Sequence, residues 1–350
     1  MINQINEISN DRDIEVSKNR KIEVSKNRSL KKIKKNIKTM IPQYTPDTFN
    51  LAAIDIGSNA ARLLIKSVTR QEDGTLQFQK QQFVRFPLRL GLDVFTQGKI
   101  SKEREVQFIR MIKAFRQLLI IYNVVDFRAC ATSALRDAKN GQKIIKRIKH
   151  LTGINIEIIS GEEEARTIYD NHIEKLLVSS ASAEEGSKSY LYVDVGGGST
   201  EVSFITGGEL KASQSFNIGT LRLLSGTVSL ESINEMCDQI CTMIAGQTEV
   251  EIIGSGGNIN KLYRLVRKKA KLKDRITLPQ LVKLFGQLSS LTVEERILEF
   301  DLRPDRADVI VPAAQIFIAI AHAIDANAIL VPTFGLADGI ISKLVAGTTL

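Results

Sequence analysis

Two aspartates each stand at the end of an apolar run, directly before a turn that contains glycine. Asp55 lies in "LAAIDIGSNAARLLI" (51–65) and Asp194 lies in "YLYVDVGGGSTEVSFI" (190–205). Each pattern predicts a strand, a tight turn and a second strand, with the carboxylate at the end of the first strand. Glycine permits close approach and unusual φ angles, so the turn N–H groups can converge on an anion. The pair therefore indicates two phosphate-binding loops, with an oxygen-liganded Mg²⁺ between them.

Several other kinds of site are excluded by the residues that are present. The chain has no G-x-x-x-x-G-K-[ST] or G-x-S-x-G sequence, and a Rossmann fingerprint would need a third glycine where Glu201 stands. Its three histidines are far apart, which argues against zinc sites and Ser-His-Asp catalysis. The three cysteines (Cys130, Cys237 and Cys241) are expected to be buried thiols. A bound metal must therefore be held by oxygen atoms.

A third acidic group lies in "SGEEEAR" (160–166), which predicts the start of a helix. Acids in a first helical turn are favoured by the helix dipole, and Ser160 with Glu163 matches a capping box. We therefore interpret Glu162 and Glu163 as structural and Glu164 as the candidate general base. The arginine of "ATSALRDA", Arg136, is a candidate phosphate clamp, because a guanidinium can bind two phosphate oxygens at once.

The elements that must position these residues occur in a fixed order. From residue 51 the sequence predicts three strands, "LAAIDIGS", "ARLLIKSV" and "LQFQKQQFVRF", and then a helix over about 101–121 with Ser101 as its N-cap. A strand "VVDFRACA", a helix over about 134–150 and a strand "NIEIIS" complete the unit.

The same order then begins again. Positions 55 and 194 differ by 139, and this shift also places Gly196 on Gly57 and apolar residues on apolar residues. Further on, "EIIGSGGNINKL" (251–262) repeats the strand, small-residue turn and helix of "ACATSALRDA" (129–138). Two similar α/β halves that face each other are therefore expected.

Composition sets the class of protein. The 350 residues are 43% hydrophobic, enough for two domains, and the N-terminus lacks an apolar segment with a cleavage site, which predicts a cytoplasmic protein without a membrane span. The net charge is +9, of which residues 1–40 contribute +6 from 11 Lys+Arg and 5 Asp+Glu. This segment repeats "DIEVSKNR" as "KIEVSKNR" and is expected to be a disordered arm, with an arm that attracts polyanions as the alternative.

Five motifs in order resemble those of the exopolyphosphatase / guanosine pentaphosphate phosphohydrolase family: "AAIDIGSNAARLLI", "ATSALRDA", "IEIISGEEEAR", "VDVGGGSTEVSF" and "IGSGGNINKL". The resemblance implies duplicated ribonuclease H-like domains, as in actin, sugar kinases and Hsp70, facing an interdomain cleft. It divides the chain into a basic N-terminal extension (1–45), a first domain (46–170 plus 333–350) and a second domain (171–332). The chain ends where longer family members continue, which suggests a short, two-domain form.

The resemblance also implies an activity and a set of residues. The activity is Mg²⁺-dependent hydrolysis of a terminal phosphoanhydride in polyphosphate or in pppGpp, with Mn²⁺ as an alternative ion. Polyphosphate or guanosine penta- and tetraphosphate are the implied binding partners. Binding to a membrane or to a specific nucleic acid is not expected. A homodimer is left open. The implied catalytic residues are Glu164 and Arg136, and the implied metal ligands are Asp55, Asp194 and Glu201. The implied phosphate-binding residues are Gly57, Ser58, Asn59, Gly196, Gly197, Gly198, Ser199 and Thr200.

Two other functions stay open at this stage. An ATP-dependent kinase of the same superfold could use "IGSGGNINKL" as its nucleotide loop. A non-catalytic sensor of polyphosphate or alarmone is the other, because Ala60 and Ala61 follow Asn59 where the family commonly has a serine and a bulky residue. The loss of a hydroxyl at position 60 removes one side-chain phosphate contact but no backbone contact.

Overall fold

A computed structural model describes residues 48–347, apart from 168, 170–187, 248, 268–273 and 333–334. The predicted basic arm and its repeated octapeptide lie outside the described residues. The predicted domain boundaries at 170/171 and 332/333 also fall in or beside undescribed positions, so they stay predictions. From Phe49 onward the chain forms one unit.

The first sheet has five strands in the order β3-β2-β1-β4-β5. The central strand β1 is buried from Asn50 to Ile56, as expected for an apolar run covered on both faces. It pairs in parallel with β4, whereas β2 and β3 form an antiparallel ribbon at one edge. The strands are β1 (Thr48–Ile56), β2 (Ala61–Arg70), β3 (Leu76–Phe86), β4 (Val124–Ala131) and β5 (Glu157–Ile158).

The second sheet repeats this order and adds one strand. Its order is β10-β11-β9-β6-β7-β8, with β6, β7 and β8 antiparallel and β6, β9 and β11 parallel. The predicted duplication of a ribonuclease H-like α/β unit is thereby confirmed. The strands are β6 (Ser189–Val195), β7 (Thr200–Thr206), β8 (Glu209–Phe216), β9 (Val250–Ser255), β10 (Arg275–Thr277) and β11 (Ala328–Leu330).

Helices cover both sheets. In the first half these are α1 (Leu90–Gln97), α2 (Lys102–Ile121), α3 (Ser133–Asp137), α4 (Gly141–Thr152) and α5 (161–167). In the second half they are α6 (Thr220–Leu224), α7 (Leu230–Met243), α8 (Gly256–Arg267), α9 (Leu278–Ser289), α10 (Val293–Phe300), α11 (Pro304–Ala307) and α12 (Ile310–Ala323). The last helix, α13 (Leu336–Gly347), packs back against β2 and β4 of the first sheet. As predicted, Ser101 caps α2: its hydroxyl accepts a hydrogen bond from the Arg104 N–H.

One predicted helix is in fact two. The helix expected over 134–150 breaks after Asp137, because Ala138 is extended with φ −69° and ψ 120°. The Asn140 side chain fixes the break by bonding both the N–H and the carbonyl of Ile100, at 2.9 and 2.8 Å. The strand expected from "NIEIIS" is correspondingly short, since only Glu157 and Ile158 pair with β4.

Three apolar cores hold the fold together. One lies in each half, and the third joins them, because Leu51 and Cys130 of the first sheet share it with Tyr192 of the second and Ile340 of α13. Cys130 and Cys237 are buried, as predicted, whereas Cys241 is partly exposed. Pro304–Ala323 is the one segment in the described part of the chain that is both long and apolar enough to cross a membrane, and half of its most apolar window is buried within the protein.

Candidate active site

The two predicted loops meet face to face. Residues 57–60 join β1 to β2 and residues 196–199 join β6 to β7. A Cβ atom on Gly198 would lie 2.5 Å from the Ser133 hydroxyl and 2.7 Å from the Ser58 hydroxyl, and one on Gly197 would lie 3.1 Å from the Asn59 nitrogen. None of the loop glycines has a positive φ angle. The expectation of unusual φ was therefore wrong, and close approach alone requires glycine here.

The loops present backbone N–H groups rather than hydroxyls. Within the described residues, no hydrogen bond uses the N–H groups of 58, 59, 197, 198 or 199. The Ser58 hydroxyl forms a hydrogen bond with the Ser133 hydroxyl, at 2.8 Å, and accepts another from the Ala134 N–H, at 3.1 Å. The Thr200 hydroxyl donates to the Ile218 carbonyl, at 2.7 Å. Both side chains thus support the loops from within, and five N–H groups are left for an anion.

Helix α5 brings Glu164 to these loops. Ser160 caps its first turn by accepting from the Glu163 N–H, at 3.1 Å, but the Glu163 carboxylate pairs with Arg128 instead of returning to the cap. Only half of the predicted capping box is therefore formed. At Gly161 the helix lies against Ser215 of β8 with no room for a side chain. One oxygen of Glu164, Oε2, is buried and has no hydrogen-bond partner among the described residues.

Four carboxylates converge between the loops. Asp55 is only 2% exposed and forms an ion pair with Arg62. Asp194 accepts from the Ser255 hydroxyl at 3.1 Å, and Glu201 accepts from the Ser215 hydroxyl at 3.0 Å. Glu164 completes the group, because the negative charges of the other three carboxylates all raise its pKa. The structure thus brings together the acids that the sequence pointed to.

Burial is the first cause of the raised pKa of three of these acids, Glu164, Asp194 and Glu201. Burial raises the pKa of Glu164 well above its usual value, and Glu201, Asp55 and Asp194 raise it further. Burial is also the first cause of the raised pKa of Glu201, which is about 7. It raises the pKa of Asp194 as well, although the positive charge of Arg62 acts in the opposite direction. Burial lowers the pKa of Arg62, but the attraction of Asp55 outweighs it, so the net shift is upward.

The predicted cations lie at this cluster in two different ways. Arg62, at the start of β2, forms an ion pair with Asp55. Arg136 on α3 donates to the Ile159 carbonyl at 2.9 Å, and its charge lowers the pKa of both Glu164 and Glu201. Its guanidinium is thus placed beside the acid cluster without an ion pair to any acid in the described residues.

Sequence reasoning missed a second group of arginines in the same cleft. Arg85, at the end of β3, pairs with Asp305 across the two halves at 2.5 Å. Arg306 donates to Asn258 and has no carboxylate within ion-pair distance among the described residues. Burial, together with the positive charges of Arg85 and Arg62, lowers the pKa of Arg306 to about 9. The motif "LRPDRADV" before an apolar helix was the available signal, and its charge pattern alone was not specific.

The acid cluster suits a hydrated divalent cation. Its donors are oxygens, its net charge is negative, and Glu164 keeps one unpartnered buried oxygen. However, no three His, Cys, Asp or Glu side chains in the described part of the chain are arranged to hold an ion directly. Asp55, Asp194 and Glu201 are thus not a preformed triad of direct ligands. Mg²⁺ keeps several of its waters in proteins, so carboxylates that are not direct ligands are compatible with coordination through water.

Comparison with known proteins gives a consistent result. A profile of the Ppx/GppA phosphatase family matches residues 67–347. A guanosine-5′-triphosphate,3′-diphosphate pyrophosphatase of Aeromonas salmonicida is 27% identical over 310 residues, which are 84% of this chain and 59% of that protein. One of Vibrio cholerae is 28% identical over 306 residues, with the same coverage. The chain thus spans 59% of the length of these curated relatives.

Solved structures resemble the whole described fold. An exopolyphosphatase from Cytophaga hutchinsonii superposes with a TM-score of 0.71 at 25% identity, covering 86% of this chain and 99% of that one. A Ppx/GppA family member from Aquifex aeolicus superposes with a TM-score of 0.66 at 25% identity, covering 86% and 100%. These likenesses extend over both sheets and the cleft between them.

The contact between the loops makes Gly198 intolerant of any side chain. We expect Gly198→Ala to weaken binding of tripolyphosphate at least about tenfold, because its Cβ would push Ser58 and Ser133 away from the loop. Isothermal titration calorimetry measures the affinity. Gly286→Ala is the matched control, since nothing lies within 4 Å of a Cβ at that helical position. Equal affinity in both variants would show that the loops need not touch.

The raised pKa of Glu164 makes a prediction about stability. Its folded-state pKa exceeds the unfolded value, so stability is lost as pH rises above about 4.3 toward the folded pKa. Glu164→Gln removes this loss, and we expect its Tm in metal-free buffer to exceed wild type by at least about 2 °C at pH 8 and by less at pH 5. Differential scanning calorimetry measures this. Exposed Glu162→Gln should show no such trend; a Glu164→Gln variant less stable at pH 8 contradicts the burial argument.

Proposed function

Because the chain belongs to the Ppx/GppA phosphatase family, we propose that it is a cytoplasmic enzyme that hydrolyses terminal phosphoanhydride bonds. Its substrate would be inorganic polyphosphate, pppGpp or both, and inorganic phosphate would be released. The observation that carries the proposal is Glu164, whose Oε2 is buried and has no hydrogen-bond partner among the described residues, in a site where two loops have available N–H groups. The relatives' names agree with this reaction class.

The mechanism follows from what each group can do. The N–H groups of both loops would bind the oxygens of the terminal phosphoryl group and stabilise their charge in the transition state. Glu164 would accept a proton from the attacking water, because its raised pKa makes it a stronger base than an exposed glutamate. Arg136 would hold a phosphate oxygen on the side of the first half. The closed contact between the loops would keep other water out.

The charges in the cleft are divided in a way that suits a chain of phosphates. Asp55, Asp194 and Glu201 would hold Mg²⁺ through water, or Mn²⁺ in its place, and the ion would neutralise charge on the bridging and leaving oxygens. Arg306 and Arg85 lie close enough to Arg62 to feel its charge, and Arg306 has no carboxylate within ion-pair distance among the described residues. The rest of a polyanionic substrate would lie against these arginines.

The proposal is tested by the release of inorganic phosphate. Wild type with Mg²⁺ is incubated with tripolyphosphate, long-chain polyphosphate, pppGpp and ATP, and the initial rates are compared. We expect turnover of at least one of the first three, and we expect Glu164→Gln to lower kcat about 10²–10⁴-fold because the general base is lost.

A matched variant on the same helix separates this role from a change in the fold. Glu163→Gln alters a carboxylate one position away that pairs with Arg128, and its kcat should stay within about twofold of wild type. Equal turnover by wild type and Glu164→Gln would remove Glu164 from the base role. Binding of tripolyphosphate or pppGpp without any phosphate release would favour a sensor, and ATP-dependent phosphorylation of an acceptor would favour a kinase.

The neighbouring acid should set the pH dependence. The base must be ionised, so kcat/KM should fall on the acid side as Glu164 becomes protonated. After burial, Glu201 is the largest cause of the raised pKa of Glu164. We therefore expect Glu201→Gln to move the acid limb of the kcat/KM profile to lower pH, whatever the change in its height. Exposed Glu209→Gln is the control, and a limb that stays in place or moves to higher pH contradicts the coupling.

A further inference from the structure

Arg222, on α6, connects the second phosphate loop with the opposite half of the protein. Its Nε donates to the carbonyl of Gly198 at 2.7 Å. Its Nη2 forms an ion pair with Asp137 at the end of α3, and its guanidinium lies 4.1 Å from the centre of the Phe95 ring on α1. The side chain is only 15% exposed. One guanidinium therefore contacts its own loop and two helices of the first half.

Helix α6 holds the carbonyl side of the loop. The N–H of Thr220 donates to the Gly196 carbonyl at 3.0 Å, and the N–H of Leu221 donates to the Gly197 carbonyl at 2.7 Å. Arg222 supplies the third bond, to the last glycine of the loop. Because a trans peptide is planar, a carbonyl that points toward α6 directs the next N–H group away from it. The three N–H groups of the loop are thereby turned together to the side opposite α6.

The first loop is held in the same way by the equivalent part of its own half. Its Ser58 and Asn59 carbonyls accept from the N–H groups of Gly91 and Arg89, each at 2.9 Å, at the start of α1. Phe95, on which Arg222 stacks, belongs to this same helix. Arg222 is thus a polar contact between the helices that support the two loops, beside the apolar packing of Leu221 on α1.

The chemistry of the contact requires arginine. A planar guanidinium can donate from Nε and Nη2 in different directions while its face lies on an aromatic ring. A lysine ammonium is a point charge that can pair with Asp137 or donate to the Gly198 carbonyl. It cannot make both contacts while stacking on an aromatic ring, as a planar guanidinium does. Asp137 is next to Arg136, so the ion pair also fixes the helix that carries the proposed phosphate clamp.

We propose that Arg222 is a positioning residue that orients the second phosphate loop when the two halves close on each other. Closure places Phe95 and Asp137 around the guanidinium, which then fixes the Gly198 carbonyl and with it the N–H groups aimed at the phosphoryl group. The inference rests on the proposed hydrolysis of phosphoanhydrides. It does not require Arg222 to touch substrate.

The test uses the full-length protein and the substrate that wild type turns over fastest. We expect Arg222→Lys to lower kcat about 10–100-fold with KM within about threefold, because the oriented N–H groups act most strongly in the transition state. Asp137→Asn leaves the bond to Gly198 in place and should lower kcat by a smaller factor. The double variant should lose less than the product of the two single losses, since both act through one contact. Exposed Arg264→Lys is the matched control.

Each outcome decides the proposal. A kcat for Arg222→Lys within about twofold of wild type overturns it. If Arg222→Lys is unfolded at the assay temperature by circular dichroism, Asp137→Asn decides, and an unchanged kcat in that variant overturns the proposal. Losses that multiply independently in the double variant also overturn it. Absence of phosphate release by wild type would instead reject the proposed hydrolysis, so the two failures are distinguishable.

Discussion

Buried negative charge is the constraint to which the rest of the structure responds. Asp55 and Glu201 are buried, and the charges of Asp55, Asp194 and Glu201 all act on Glu164, so four acids share a cleft in which unpaired carboxylates are strongly unfavourable. Among the described residues, only Arg62 forms an ion pair with a member of the group. Burial therefore raises the pKa of Glu164, Asp194 and Glu201 in the folded chain. Such a site is unfavourable for stability and suitable for binding metal and phosphate.

The two halves must be pressed together to maintain this cluster, and glycine and ion pairs share that task. Gly197 and Gly198 let the loops touch where any side chain would separate them. Ion pairs of Arg85 with Asp305 and of Arg89 with Asp308 cross between β3–α1 and the α11 region of the second half. Because these pairs are largely shielded from solvent, they are screened less by salt than surface pairs. Closure thus depends on polar contacts as well as on the shared apolar core.

Local patterns account for the parts that the sequence predicted well. A strand end, a turn and an N-cap are each defined within a few residues, which is why both hairpins, the cap at Ser101 and Glu164 in a first helical turn could be anticipated. What was missed depends on partners distant in sequence. The bond between Arg89 and Asp308 spans 219 positions, and that between Arg222 and Asp137 spans 85. A sequence shows such charges but not their partners. The break of the predicted 134–150 helix likewise depends on Asn140 reaching Ile100.

The duplication explains more than the repeated strand order. In each half the chain leaves the third strand and returns to its own loop, so that N–H groups at the start of α1 or α6 bind the loop carbonyls. The turns differ in sequence, with "GSNA" in one and "GGGS" in the other, yet the carbonyl side of each is fixed by the same device. A side-chain hydroxyl in the turn is then dispensable for orienting the loop, since the backbone bonds do this. Ala60, where the resemblance implies a hydroxyl residue, therefore leaves the hydrogen bonds that orient the first loop intact.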